Sequence, residues 1–431
     1  MNKWSTTDIE NLVKSQLHQN SISDLFGDID SNPSKLMRIC DLLNNSKIKM
    51  SHIISAPGRT ELGGNHTDHN GGKVLCAAIQ IDTLAAATKT NDDKAIINSN
   101  GFDESFYIDI FDLEVNSSEF GTTHALIRGV LAGVRKFGGQ IGGFTAEISS
   151  DVGIGSGLSS SASFEILIGT ILNDLYNNGT MPESMIAKIG QYAENKYFGK
   201  PCGLMDQTAS AVGGILKIDF GFNSDIEVQQ INFDVSTSDY DLLVVNTGGN
   251  HTNLTSEYTA IPNEMIAVAN ELGHDILRSC DETIFKENLT NIRSKLGDRA
   301  ALRAMHFFNE NRRVDDMVNA LNCGDFELYL EKVAESGASS QNILQNVIPS
   351  NGDGKSQNLG FALALSQLFF DEKGRGVSRV HGGGFAGTIQ TYVHKEDYED
   401  YLLLMRDFIG PTSVEKLNIR NQGAKTILRV D

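Results

Sequence analysis

Phe144, Ala146 and Ile148 alternate with Thr145, Glu147 and Ser149, the two-residue period of a strand with one buried face. Directly after them runs Gly153-Ile154-Gly155-Ser156-Gly157-Leu158-Ser159-Ser160-Ser161. Phe164, Leu167, Ile168, Ile171 and Leu175 then recur at the spacing of one helix face. A strand, a glycine-rich turn and an amphipathic helix in immediate succession constrain the fold more than any other stretch. Glycines permit positive φ and let the backbone approach a ligand with no Cβ in the way. Unpaired N–H groups at the helix start, beside three consecutive hydroxyls, favour a phosphate. Serine oxygens there can also reach a phosphate-bound Mg²⁺. The spacing is neither a Walker A loop nor the G-x-G-x-x-G dinucleotide turn. Taken alone, the run also reads as a flexible loop with a serine N-cap. Its flanking strand and helix favour the phosphate cradle.

The chain has 431 residues, and one hydrophobic core stops growing near ~250–300 residues, so at least two lobes are expected. A net charge of −19 opposes binding to nucleic acid or to an anionic membrane. A small anion can still bind where local dipoles and a divalent cation reverse the field. No apolar run approaches the ~18–20 residues of a membrane span, and the polar segment Met1 to Glu10 lacks the core of a signal peptide. The five cysteines, Cys40, Cys76, Cys202, Cys280 and Cys323, show no C-x-x-C spacing. Neither a zinc site nor a disulfide framework is expected, and a reducing cytoplasm is the simplest compartment.

Residues 3 to 47 read as a polar helical extension with Ile9, Leu12, Val13 and Leu17 near a helical period. Strand patterns follow near Ile53–Ala56, Val74–Ile81, Ala211–Phe220, Leu242–Asn246 and Thr388–Val393, and Pro262 to about Glu335 reads as mostly helical. The pattern is α+β with two lobes and a boundary near residue 240.

A second informative segment is Ala56-Pro57-Gly58-Arg59-Thr60-Glu61-Leu62-Gly63-Gly64-Asn65-His66-Thr67-Asp68-His69-Asn70-Gly71-Gly72. It reads as a solvated loop, as a weak metal site through His66, Asp68 and His69, or as a polyol-recognition segment. Sugar hydroxyls need several donors and acceptors converging on one pocket, and Asn, His and Asp supply them. With Asp206 in Gly203-Leu204-Met205-Asp206-Gln207, Arg59 forms a candidate catalytic pair. The aspartate would orient a hydroxyl proton and the arginine would stabilise a transferring phosphoryl group.

Together these segments resemble the GHMP sugar-kinase family, whose members include galactokinases and mevalonate kinases, with the greatest likeness to galactokinases. The first signature is Pro57-Gly58-Arg59 through Gly64-Asn65-His66-Thr67-Asp68, the second is Gly153 to Ser163, and the third is Gly382-Gly383-Gly384-Phe385-Ala386-Gly387. Ala193-Glu194, Cys202 to Gln207, Ser256-Glu257-Tyr258 and Arg303-Ala304-Met305-His306 also match, in order. The resemblance implies an active site between an N-terminal lobe and a C-terminal α/β lobe, with residues 1–50 as an extension, 51–240 as the first domain and 241–431 as the second. It implies transfer of the γ-phosphoryl of MgATP to the anomeric hydroxyl of galactose by a cytoplasmic enzyme, often a monomer. Arg59 and Asp206 match catalytic positions, and Asn65, His66, Thr67, Asp68, Gly203 and Tyr258 match the sugar site. Gly153, Gly155, Ser156, Gly157, Leu158, Ser159, Ser160 and Ser161 match the ATP loop, and Glu194 with Ser159 or Ser161 matches the metal positions.

One departure bears on the substrate. Asn65 stands where galactokinases carry a glutamate that contacts the sugar 6-hydroxyl. A neutral amide would not repel a 6-carboxylate, so galacturonate or L-arabinose becomes a rival substrate. Gly153 and Ala386 are further departures, where proline and glycine are usual. A non-catalytic sugar sensor is a rival of another class, although such proteins lose residues of the serine loop that are intact here. Kinases of mevalonate, homoserine or inositol are less well matched by His66-Thr67-Asp68 and Met205-Asp206-Gln207.

Overall fold

A computed structural model describes residues 3–30, 33–153, 157–200, 202–221, 226–248, 254–350 and 354–430. The chain opens with helices α1 (Thr6–Gln16), α2 (Gln19–Phe26) and α3 (Ser34–Asn45). Ser5 and Asp8 form a reciprocal capping box that starts α1. The strands β1 (His52–Gly63), β2 (Lys73–Lys89), β3 (Lys94–Ser99) and β4 (Phe106–Asp109) follow, then α4 (Thr123–Lys136), β5 (Phe144–Ser150), α5 (Ser160–Tyr176), α6 (Glu183–Ala193), α7 (Met205–Val212), β6 (Ile215–Asp219) and β7 (Glu227–Ile231). The second lobe comprises β8 (Tyr240–Asn246), α8 (Thr255–Glu271), α9 (Glu282–Glu287), α10 (Leu289–Leu296), α11 (Asp298–Cys323), α12 (Phe326–Ser339), α13 (Asn358–Lys373), β9 (Val377–His381), β10 (Thr388–His394), α14 (Tyr398–Phe408) and β11 (Val414–Leu417), and the last strand is β12 (Lys425–Arg429).

β2 organises the first sheet. One edge pairs with β1 along most of its length, while the other pairs with β6 through Lys73–Ala77 and with β5 through Thr83–Lys89. Strand alternation then separates two cores. Ile54, Ala56, Ala85 and Ala87 face one side, packed on α4, α5 and α6. Ile53, Leu84 and Ala86 face the other, where Ile9, Val13, Leu25, Leu36 and Ile39 of the extension cover them. The register between β1 and β2 slips between Pro57 and Arg59, a bulge that re-aims the arginine.

The second sheet runs β11-β8-β10-β9, antiparallel throughout. Leu242, Val244 and Tyr392 pack on α11 and α12, while Leu243, Val245 and Val393 pack on α13 and α14. This lobe is therefore a helix–sheet–helix sandwich.

Three expectations need correction. α5 is buried around its circumference, Glu165, Thr170 and Asn173 included, so its apolar residues are not confined to one face. The segment expected as a strand from Ala211 to Phe220 begins inside α7, and only Ile215–Asp219 is strand. The sheets do divide between β7 and β8, but β12 crosses back to pair with β1, so the last strand falls outside the expected domain 241–431.

The extension is held by charge as well as by apolar contact. Asp82 is 1% exposed and meets Lys35 at 2.5 Å, Arg38 at 2.9 Å and Arg420 at 3.4 Å. Burial pushes its carboxyl up, but these cations outweigh burial and hold it at about 2. Asp82→Asn should cost about 3–5 kcal/mol in urea unfolding, because it leaves the buried Lys35 and Arg420 without their counter-charge. The folded carboxyl titrates below its ordinary 3.8, so its contribution is present above that pH and lost as pH falls toward about 2. The variant should accordingly lack the part of the acid limb that Asp82 supplies.

Candidate active site

Arg59, at the β1 bulge, points its guanidinium edge at Asp206 in the first turn of α7. Nε lies 2.6 Å from Oδ1 and Nη2 lies 2.7 Å from Oδ2. Nη1 donates to the carbonyl of Gly157. Ser159, which begins α5 with φ +65°, donates to Asp206 Oδ2 at 2.6 Å. Burial would raise the Asp206 carboxyl, but Arg59 and Ser159 outweigh it and hold Asp206 below the usual carboxylate range. Asp206 is thus an ionised acceptor, with its side chain 28% exposed to the cleft. A Cβ on Gly157, whose φ is +73°, would lie 2.5 Å from Thr388 Oγ1, so only glycine lets the turn pass this close to the second lobe.

The α5 N-terminus carries Ser160 and Ser161 beside this pair. Ser161 Oγ stands 3.4 Å from Glu194 Oε1. Glu194 opens a single π-turn, Glu194–Phe198, that continues α6 and turns the carboxylate inward. The same Oε1 takes Lys200 Nζ at 3.1 Å, and Oε2 takes Gln207 Nε2 at 2.9 Å. Gln207 also donates to Glu165 at 3.1 Å. Burial, then the Glu194 charge, push Glu165 well above its ordinary value. The loop residues therefore divide, Ser159 with Asp206 and Ser161 with Glu194. Gly153 and Leu158 flank the turn, while Gly155 and Ser156 lie outside the described residues.

The sugar-motif residues are placed unevenly. Asn65 is wholly buried: Nδ2 donates to Glu61 at 2.9 Å and to Gly382 O at 2.7 Å, and Oδ1 accepts from Asn346 at 2.8 Å and Ser340 at 3.4 Å. Its amide is saturated by protein and lies in the seam between lobes, which corrects the expectation that it faces a sugar 6-position. Thr67 is also buried, and its hydroxyl bonds the carbonyls of Gly64 and Lys73, closing the turn behind the motif instead of lining a pocket. His66 donates from Nε2 to Gly383 O at 2.9 Å, and the Tyr258 hydroxyl donates to Gly384 O at 2.9 Å. Asp68 lies against Gly203: a Cβ there would come 2.2 Å from Asp68 Oδ2, so glycine is required for the carboxylate to approach the segment bearing Asp206. His66, Asp68 and His69 do not assemble a metal site, because His66 is spent on Gly383 and no cluster of three or more His, Cys, Asp or Glu side chains suited to a metal exists among the described residues.

Residues not singled out from the sequence complete the site. The one trace of Glu165 in the sequence is an acid set inside the apolar stretch Phe164–Ile168. Asn346 and Ser340 are delivered by a second π-turn, Ser340–Leu344, which leaves no periodic trace. His381 Nδ1 donates to Thr388 Oγ1 at 3.0 Å, and its Nε2 accepts from the Glu61 amide at 3.3 Å.

Burial holds His66 down to about 4 and His381 down to about 3. Both are neutral in the folded chain, while the unfolded chain takes up protons near the ordinary 6.5. Stability is therefore fully present above 6.5 and falls as pH drops toward 4. Urea midpoints measured across that range should fall with decreasing pH, and less steeply in a His381→Gln variant.

Comparisons with known proteins place the chain in a family. A model of the GHMP kinases N-terminal domain matches residues 125–214, and a galactokinase galactose-binding signature matches residues 45–89. A galactokinase of Mannheimia succiniciproducens is 32% identical over 362 residues, covering 82% of this chain and 88% of that protein. The crystal structure of Lactococcus lactis galactokinase complexed with galactose superposes with a TM-score of 0.75 at 23% identity, covering 97% of this chain and 99% of that one. Methanococcus jannaschii mevalonate kinase superposes with a TM-score of 0.60 at 18% identity, over 86% of this chain and 99% of its own. With its Arg59–Asp206 fork, its serine turn and this extent of likeness, the chain belongs to the galactokinase family of GHMP kinases.

Proposed function

We propose that the protein transfers the γ-phosphoryl group of ATP to the anomeric hydroxyl of D-galactose, giving galactose 1-phosphate. The observation that carries this reading is the Arg59–Asp206–Ser159 constellation at the N-terminus of α5. Amides of the serine turn hold the triphosphate, where the helix dipole favours negative charge. Asp206 accepts the hydroxyl proton and aligns the attacking oxygen. Arg59, charged and held rigidly by Asp206 and Gly157, neutralises charge on the group in flight. Asp68 and Gly203 form the wall of the sugar site next to Asp206, and His66 and Tyr258 shape it through the Gly382–Gly384 turn. In this reading the first lobe carries the nucleotide and the catalytic pair, and the second closes the sugar pocket.

Ser161 and Glu194 offer hard oxygen donors on one side of the turn, a set that suits Mg²⁺. When bound, the ion would neutralise phosphate charge. The Lys200 ammonium lies on the same Glu194 oxygen and would have to give way to the ion.

Galacturonate and L-arabinose were raised by Asn65 alone, and a fully bonded Asn65 in the seam gives neither an advantage. A sensor role is opposed by the Arg59–Asp206 fork and by Ser159, Ser160 and Ser161. Asp206→Asn should lower turnover by about 10²–10⁴ while ATP still binds by calorimetry, and near-normal turnover would defeat the assigned role. Gly203→Ala should displace Asp68 and raise the galactose KM about tenfold or more at unchanged ATP KM. In an ADP-release panel of galactose, galacturonate, L-arabinose and N-acetylgalactosamine, galactose should give the highest kcat/KM.

A further inference from the structure

The helical extension has no part in the chemistry just described, yet one of its side chains reaches the strand that feeds the phosphate turn. Arg38, on α3, makes five hydrogen bonds from its guanidinium group: Nη2 to Ser149 O at 2.7 Å and Asp82 O at 3.1 Å, Nη1 to Asp151 Oδ2 at 2.6 Å and Asp82 Oδ1 at 2.9 Å, and Nε to Ser149 Oγ at 3.3 Å. Asp151 also donates its amide to Asp82 O at 3.0 Å. Ser149 and Asp151 bracket the end of β5, two residues before Gly153. A cavity of about 580 Å³, bordered by Leu25, Phe26, Gly153, Leu158 and Thr388, lies between the turn and the extension.

We propose that Arg38 is a positioning residue for the nucleotide: by clamping the end of β5 it sets where the serine turn stands, and so ties ATP binding to a docked extension. The proposal rests on the reading of that turn as the ATP site. Arginine suits the task because its planar fork satisfies two carboxylates and two carbonyls together, whereas a lysine ammonium has three donors and no fixed plane. Asp82 retains Lys35 and Arg420 without Arg38, so removing the guanidinium leaves the buried carboxylate paired.

Binding of a fluorescent ATP analogue, with no sugar present, tests this apart from the sugar assignment. Arg38→Met should weaken nucleotide binding about tenfold or more and raise the ATP KM in parallel, with the galactose KM within about twofold of wild type. Arg38→Lys should not restore it. Asp151→Asn, at a carboxylate 54% exposed, should weaken binding in the same direction, and the double variant should be no weaker than Arg38→Met alone. Wild-type nucleotide affinity in folded Arg38→Met overturns the proposal, as does equal loss for both substrates. Should Arg38→Met fail to fold, unchanged affinity in Asp151→Asn overturns it. A wild-type protein that binds no ATP analogue would instead defeat the reading of the turn.

Discussion

The bidentate pair of Arg59 and Asp206 joins segments 147 residues apart in the chain. Both groups are largely withdrawn from water, so each is tolerable only with the other present, and neither can be lost without stranding a buried charge. Three elements are thereby brought to one point: the bulge of β1, the first turn of α7 and, through Ser159 and the Gly157 carbonyl, the start of α5. A preorganised fork is also what phosphoryl transfer demands, because most of its barrier is lowered by position and fixed charge.

A second constraint closes the lobes on each other. The carbonyls of Gly382 and Gly383 accept from Asn65 and His66 across the seam, while Tyr258, of the same lobe as the glycines, donates to the next carbonyl, that of Gly384. Of the five non-glycine residues with positive φ among the described residues, His66, Ser159, Gln345 and Phe385 belong to this seam or to the serine turn. Such conformations cost of order 1–3 kcal/mol each and persist where surrounding bonds over-determine them. Asn65 belongs to this seam, which is why a substitution that looks like a change of sugar preference reads in three dimensions as a change of lobe contact.

The two ends of the chain meet on the first sheet. Helices α1 to α3 cover the face opposite α5, and β12 closes the edge of β1. Asp24 of the extension accepts from the amides of Asn421 and Gln422 just before that strand. Asp82, buried among cations from α3 and from Arg420, sits where these elements converge. The β5 end, and with it the phosphate turn, is reached from this same cluster through Arg38.

Residue order alone was enough for the strand and helix on either side of the glycine-serine run, for the helical extension and for the α+β class, and it singled out Arg59 and Asp206, which the fold brings into contact. Period, glycine spacing and hydroxyl runs are local properties, and local properties survive in one dimension. Tertiary structure alone decided which serine meets which carboxylate, that β12 returns to the first sheet, and that Asn65 and Thr67 face protein instead of the cleft. It also placed Glu165 beside Gln207, Asn346 and His381 in the seam against Asn65 and Glu61, and Arg38 at the end of β5. Those outcomes depend on π-turns, bulges and contacts between residues distant in the chain. The free energy that settles them comes from burial and charge pairing formed only when the lobes and extension pack together, and sequence periodicity carries no record of that packing.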